Sequence, residues 1–238
     1  MSTITCPRCQ SQNIVQYGYI HNGKKRYLCY DCHRQFTPEG KKKYISEEQK
    51  QMVDKMLLER LSIAAISRIT GISQSWLYKY LKHKVAYTSE IINIVPSEEE
   101  EIELECDEIW SFSGSKKNPQ WLWLILAKRT RLILAACVGD RCVKTAEKLW
   151  QRLPKAWRKQ AKFYTDFWQA YAEVIPAAQH EAVAKSSGKT SLIERFNNTL
   201  RQRVGRLVRK TLSFSKSLEN HIGVIFNFIH HYNESLLT

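Results

Sequence analysis

The sequence predicts a multidomain chain: two small basic modules at the N-terminus, then an α/β domain whose mixed sheet is flanked by helices. Three observations carry this. Two C-x-x-C pairs bracket a hairpin pattern within the first 40 residues. Short capped helical patterns follow to residue 84. Beyond an acidic run, strand-length apolar segments alternate with helical ones.

Cys6-Pro7-Arg8-Cys9 and Cys29-Tyr30-Asp31-Cys32 are separated by 19 residues. Each pair can present two thiolates from one knuckle. Two knuckles close a tetrahedral site of four thiolates, which suits a structural zinc with no open position. Between them Asn22-Gly23 lies between alternating apolar and aromatic runs, a hairpin signal. Residues 1–40 therefore read as a zinc ribbon. His33, beside Cys32, is a weaker competing ligand.

Residues 44–84 read as a helix-turn-helix. Ser46 and Gln49 have the spacing of a capping box. Met52, Val53, Met56, Leu57 and Leu61 recur at helical spacing. Ser62 can cap a second helix, Gly71 permits a tight turn, and Ser73 can cap a third helix bearing Trp76, Leu77, Tyr80 and Leu81. Such a third helix enters the major groove, with Gln74, Ser75, Tyr78, Lys79 and Lys82 as candidate base or phosphate contacts. Residues 85–100, with Pro96 and an acidic run, read as an extended linker.

The formal charge is +14 and the pI about 9.5. Residues 1–95 hold 15 Lys/Arg against 7 Asp/Glu, residues 96–105 hold six Glu and no base, and residues 106–238 hold 22 Lys/Arg against 10 Asp/Glu. Two basic blocks with an acidic divider point to two units that meet a polyanion such as nucleic acid. No apolar run approaches the roughly 20 residues of a membrane span. The start, MSTITCPRC, lacks the basic and apolar regions of a signal peptide. The chain is expected in a reducing cytoplasm, associated with the nucleoid, its seven Cys serving as thiols or ligands. Cys106, Cys137 and Cys142 lack metal spacing and read as core residues.

From residue 101 the pattern gives three strands in sequence (EIELECDEIWSF, WLWLILA, RLILAACVG), a helix over KTAEKLWQRL, a strand ending at Asp166, a helix, a short strand at HEAVAK, a helix from Thr190 to Lys210, and a last helix from about Ser215 to Tyr232. The order βββ-α-β-α-β-α is ribonuclease-H-like. Acidic residues are scarce here, and three sit where they can converge: Asp107 in the first strand, Asp166 closing the fourth, and Glu194 in the helix after the fifth. Carboxylates from separate elements are what two hard cations need to cut a phosphodiester. Asp107 and Glu108 are alternatives, since neighbours on a strand point to opposite faces. The Glu194 helix also carries Arg195, Arg203, Arg206, Arg209 and Lys210 as candidate phosphate contacts. His180 lies near the site.

CDEIWSF, YTDFWQAY and SLIERFNNTLRQR, with CPRCQS and YLCYDCHRQF, resemble the insertion-sequence-one transposases of the DDE group, over essentially the whole chain. That resemblance implies a catalytic triad of Asp107, Asp166 and Glu194 binding Mg2+ or Mn2+, and selects Asp107 over Glu108. It also implies a basic residue after the glutamate, which Arg201 matches. Seven residues on a helix return to nearly the same face, so Arg201 can reach DNA at the Glu194 site. The function implied is binding of an element's terminal inverted repeats, cleavage of its ends and joining of the 3′-OH to target DNA, by a homodimer or larger assembly on double-stranded DNA. Two rival readings are a non-catalytic DNA-binding regulator and a nuclease without strand transfer.

Overall fold

The computed structural model describes residues 4–38, 45–87, 102–207 and 214–237. The chain divides into two compact units, Met1–Ser46 and Glu47–Thr238.

In the first unit β1 (Ile14–Tyr19), β2 (Lys25–Cys29) and β3 (Gln35–Phe36) form an antiparallel sheet in that order. The expected hairpin turn is present: Gly23 takes φ +78°, its N–H donates to the Ile20 carbonyl at 2.9 Å, and the Ile20 N–H donates to the Lys24 carbonyl at 2.9 Å. A side chain at Gly23 would be strained in this left-handed conformation. The two-residue β3 was not expected from the sequence. The buried apolar set is only Cys6, Cys29 and Phe36, with Ile4, Ile14 and Tyr27 against them.

The second unit opens with α1 (Glu47–Leu57), α2 (Ile63–Thr70) and α3 (Gln74–Tyr87). Its punctuation is as the sequence predicts. Ser62 Oγ accepts from the Ala65 N–H at 3.1 Å, Gly71 takes φ +68° as the α2 C-cap, and Ser73 Oγ accepts from the Trp76 N–H at 3.3 Å. Val53, Ile63, Ile66, Ile72, Leu77 and Leu81 are buried where the three helices meet. α3 runs to Tyr87, into the expected linker; the rest of that linker, with Pro96 and most of the acidic run, lies outside the described residues.

The main sheet has the order β6-β5-β4-β7-β8. β4 (Ile102–Phe112), β5 (Pro119–Ala127) and β6 (Ile133–Gly139) are antiparallel neighbours, and β7 (Ala161–Thr165) and β8 (His180–Ala182) continue parallel to β4. α4 (Val143–Arg152), α5 (Lys155–Gln160) and α6 (Gln169–Val174) follow β6 and β7, and α7 (Ser191–Arg203) and α8 (Leu218–Leu237) close the chain. Strand alternation divides β4 between two cores. Leu104 and Cys106 pack with residues of α4 and α6, and Ile109 packs with α7 and α8.

The helix expected to run from Thr190 to Lys210 is shorter. α7 ends at Arg203, Val204 is extended, and Gly205–Leu207 form a tighter turn. Gly205 lies against the loop before α2, where an added Cβ would sit 3.4 Å from the Arg60 carbonyl oxygen. Arg209 and Lys210 lie outside the described residues, and α8 begins at Leu218, three residues later than expected. Arg206 Nη1 donates to Ser215 Oγ at 2.8 Å and to the Asn220 carbonyl at 3.0 Å, tying the turn to α8.

His221, fully buried on α8, makes stability pH-dependent. Ser111 Oγ donates to the Gln120 carbonyl at 2.6 Å, so at 2.9 Å the His221 Nε2–H must donate to Ser111. Nδ1 is buried with no hydrogen-bond partner. Burial, then the Arg206 charge, lowers its pKa to about 4. The neutral form is the folded form. Its stabilisation is complete above the unfolded pKa of 6.5 and is lost as pH falls toward 4, by about 3 kcal/mol at most. The melting temperature should fall between pH 6.5 and 4.5, and His221→Gln should flatten that fall. Equal slopes in both proteins would refute the assignment.

Candidate active site

β4 and β7 run parallel, with Glu105 opposite Tyr164. Asp107, midway along β4, and Asp166, the residue after β7, each follow two positions later. Carboxylate oxygens of Asp107, Glu108 and Asp166 lie within 4.8 Å of one another. Two of the three triad residues read from the sequence are thus brought together, across 58 intervening residues. Glu194, in the first turn of α7, is outside this group; its Oε1 accepts from Thr190 Oγ1 at 3.4 Å. It shares a helix face with Asn197, whose Nδ2 donates to Asp107 Oδ2 at 2.6 Å.

The three clustered carboxylates are not equivalent. Asp166 Oδ1 accepts from the Trp168 N–H at 2.9 Å. Glu108, its side chain 2% exposed, has both oxygens engaged. Oε1 meets Arg141 Nε at 2.7 Å and Nη2 at 2.5 Å, and Oε2 accepts from the Tyr171 hydroxyl at 2.9 Å. The Arg141 guanidinium lies between the rings of Trp121, at 4.7 Å, and Trp168, at 4.1 Å. Burial, then the nearby Glu108 and Asp166 charges, pushes the Asp107 carboxyl up to about 6. Glu108 is raised too, by burial and by Asp166. Such repulsion is relieved by a cation, and hard cations take carboxylate oxygens. Asp107 and Asp166 fit that role, whereas Glu108 has no oxygen to spare.

Glu105 is a buried carboxylate beside the site that the sequence did not disclose, because it lies in an acidic run. It is fully buried on β4, two residues before Asp107 and on the same strand face. Its Oε2 accepts from the Ile193 N–H at 2.8 Å, capping the first turn of α7 beside Glu194. Burial raises its pKa, and Oε1 has no hydrogen-bond partner. Glu105→Gln keeps the acceptor, and the melting temperature should stay near wild type. Glu105→Ala leaves the Ile193 amide unpaired, at a cost of about 1–3 kcal/mol, and should melt lower. Equal melting temperatures for both variants would refute this capping role. His180 has a related part: Nε2 lies 2.8 Å from Thr165 Oγ1, which donates to the Asp166 carbonyl at 2.7 Å.

The remaining predicted residues divide. Arg195 is exposed, Arg201 donates to the Leu207 carbonyl at 3.4 Å, and Arg203 pairs with Glu59. Arg201 and Arg203 thus already have protein partners. On α3, Gln74, Ser75, Tyr78, Lys79 and Lys82 are all exposed. Tyr78 also lines a cavity with Arg206, Asn220 and Val224, and Lys82 pairs with Glu219 of α8 at 3.4 Å. The exposed side of α3 is therefore shared between solvent and α8.

In the N-terminal unit the sulfurs of Cys6, Cys9, Cys29 and Cys32 lie within 4.8 Å of one another, with Cys6 and Cys32 at 3.5 Å and Cys9 and Cys29 at 3.6 Å. Tetrahedral zinc with Zn–S bonds of about 2.3 Å needs S···S separations of about 3.8 Å. The four thiols fit, and His33 is not among them.

One unit thus gathers four thiols spaced for zinc, and the other gathers three carboxylates close enough to share a metal ion. The chain belongs to the IS1 transposase family: the family model of that description matches residues 101–233, and the InsA N-terminal domain matches residues 1–33. It is a DDE-group transposase sequence with an N-terminal zinc ribbon. Insertion element iso-IS1n protein InsB of Shigella dysenteriae is 39% identical over 127 residues, which cover 52% of this chain and 92% of that protein. Insertion element IS1 protein InsB of Shigella flexneri is 35% identical over 130 residues, covering 54% of this chain and 95% of that protein. A solved structure, the cryoEM structure of a simian T-cell lymphotropic virus intasome with PP2A regulatory subunit B56 gamma, gives a TM-score of 0.35 at 13% identity. It covers 70% of this chain and 63% of that one, too slight a likeness to build on. Among the described residues no helix is long and apolar enough to cross a membrane.

Proposed function

We propose that the chain binds the terminal inverted repeats of its insertion sequence, cleaves the DNA ends and joins the freed 3′-OH to target DNA. The observation that carries this is the approach of the Asp107 carboxylate, from the middle of β4, to that of Asp166, just after β7. Residues 101–238 form a ribonuclease-H-like catalytic domain, a reading supported by three antiparallel strands extended by two parallel ones. Residues 1–40 and 44–84, the ribbon and a helix-turn-helix, select the ends, and residues 85–100 connect them to the catalytic domain. The net charge of +14 suits a DNA partner. Gln74, Ser75 and Lys79 make groove or phosphate contacts, as do Tyr78 and Lys82 once free of α8.

Asp107, Asp166 and Glu194 would hold Mg2+ or Mn2+, which when bound would supply Lewis acidity to the attacking and leaving oxygens. Asn197 orients Asp107, and the Trp168 N–H orients Asp166. Arg141 and Tyr171 engage both oxygens of Glu108, which sits beside Asp107 and Asp166. Arg201, with Arg195 and Arg203, positions the DNA backbone. Water opens a phosphodiester to give a 3′-OH and a 5′-phosphate. The 3′-OH then displaces a 3′-oxygen in the target, forming one phosphodiester for the one broken. Two ends must meet, so the working form is a dimer or larger, acting at the nucleoid in the cytoplasm. The test is purified protein with a DNA carrying both element ends, a target plasmid and Mg2+. End-to-target joints are expected; end-binding with neither cutting nor joining would favour a regulator, and cutting without joining a nuclease.

A further inference from the structure

Phe167 is 72% exposed, the most exposed large hydrophobic side chain among the described residues, and it directly follows Asp166. A loose loop does not explain this. Thr165 before it is fully buried and hydrogen-bonded, and the Trp168 N–H holds Asp166 Oδ1 at 2.9 Å. The Trp168 ring lies on Arg141, which is fixed to Glu108. α6 then begins at Gln169, with Ala170 and Tyr171 buried. The turn is tied on both sides of Phe167.

We propose that Phe167 is a base-stacking residue, receiving an unpaired nucleobase next to the phosphate that is cut. This rests on the DNA-cleaving reading above and adds a substrate contact to it. Phe167 directly follows Asp166, one backbone step of about 3.8 Å, so its exposed ring stands next in the chain to a residue read as holding the cut phosphate. Duplex bases are stacked, and a wedge or platform that replaces the lost stacking makes unpairing easier. Phenylalanine offers no hydrogen bond, so the contact is tolerant of base identity. Trp168 cannot serve instead, because its ring already faces Arg141.

The experiment uses the full chain with a duplex spanning the end of the element that encodes it. 2-Aminopurine replaces single bases on either side of the cleavage point, with Ca2+ in place of Mg2+. Wild type should raise the fluorescence at one position, and Phe167→Ala should not. With Mg2+, Phe167→Ala should cut paired ends roughly 5- to 150-fold more slowly. It should cut ends with that base unpaired within about twofold of wild type, and Phe167→Trp should be close to wild type on both. The proposal is overturned by three outcomes: no fluorescence change at any position in wild type, an equal defect on paired and unpaired ends, or a defect accompanied by loss of self-association, which would make Phe167 a subunit contact. Failure of the cleavage reading has a separate signature: wild type and Asp166→Asn would then be alike on every DNA.

Discussion

Asp166→Asn protein should cut and join DNA at least roughly 1,000-fold more slowly than wild type while binding element ends equally well. The substitution removes one charged ligand oxygen at nearly constant volume, and the amide can still accept from the Trp168 N–H. Asp107→Asn should lose activity to a similar degree, with an added signature in the metal-free protein. A carboxyl whose folded pKa is raised to about 6 destabilises the fold once ionised. The penalty is absent below the unfolded pKa of 3.8 and complete above about 6. Without metal, Asp107→Asn should melt above wild type at pH 8 and level with it at pH 4. Mg2+ should then stabilise wild type but not the variant. Scanning calorimetry with and without chelator checks this. A variant that joins at the normal rate, or melts below wild type at pH 8, would contradict the assignment.

Removing zinc should unfold residues 4–38 and abolish selective binding of the element ends. Among its described residues this unit buries three apolar side chains, two of them candidate ligands, and its cysteines form no disulfide. A module this small needs a metal or a disulfide, and binding energy of a structural zinc, about 10–16 kcal/mol, is folding energy. Cys29→Ser should leave zinc well below one equivalent and lose end selectivity. The melting transition of residues 47–238, a separate compact unit, should stay in place. Full end selectivity in zinc-free protein would show that recognition lies in the second unit alone.

What the sequence disclosed was local. Ser62, Gly71 and Ser73 mark helix ends through contacts within a few residues, and the C-x-x-C pairs carry their own ligand spacing. The two-residue β3 and six-residue α5 escaped because neither is long enough to show a period. The end of α7 was hidden because Val204 and Leu207 continue its apolar stripe. The break belongs to the packing of Gly205 on Arg60. In the site, Asp107, within a strand, and Asp166, closing one, stood out among scarce acids. Glu105 did not, since burial of a carboxylate under α7 is a long-range outcome. The Arg141 contact with Trp121, Trp168 and Glu108 draws on four chain segments and has no spacing to read.

The central claim is one metal centre shared by Asp107, Asp166 and Glu194, and anomalous scattering from Mn2+ in crystals of the DNA-bound protein tests it most directly. Two peaks roughly 3.5–4 Å apart are expected, bounded by oxygens of these three residues, with Glu108 still on Arg141 and Tyr171. Peaks bound by Glu108 with Glu194 remote, or no peak between Asp107 and Asp166, would contradict it.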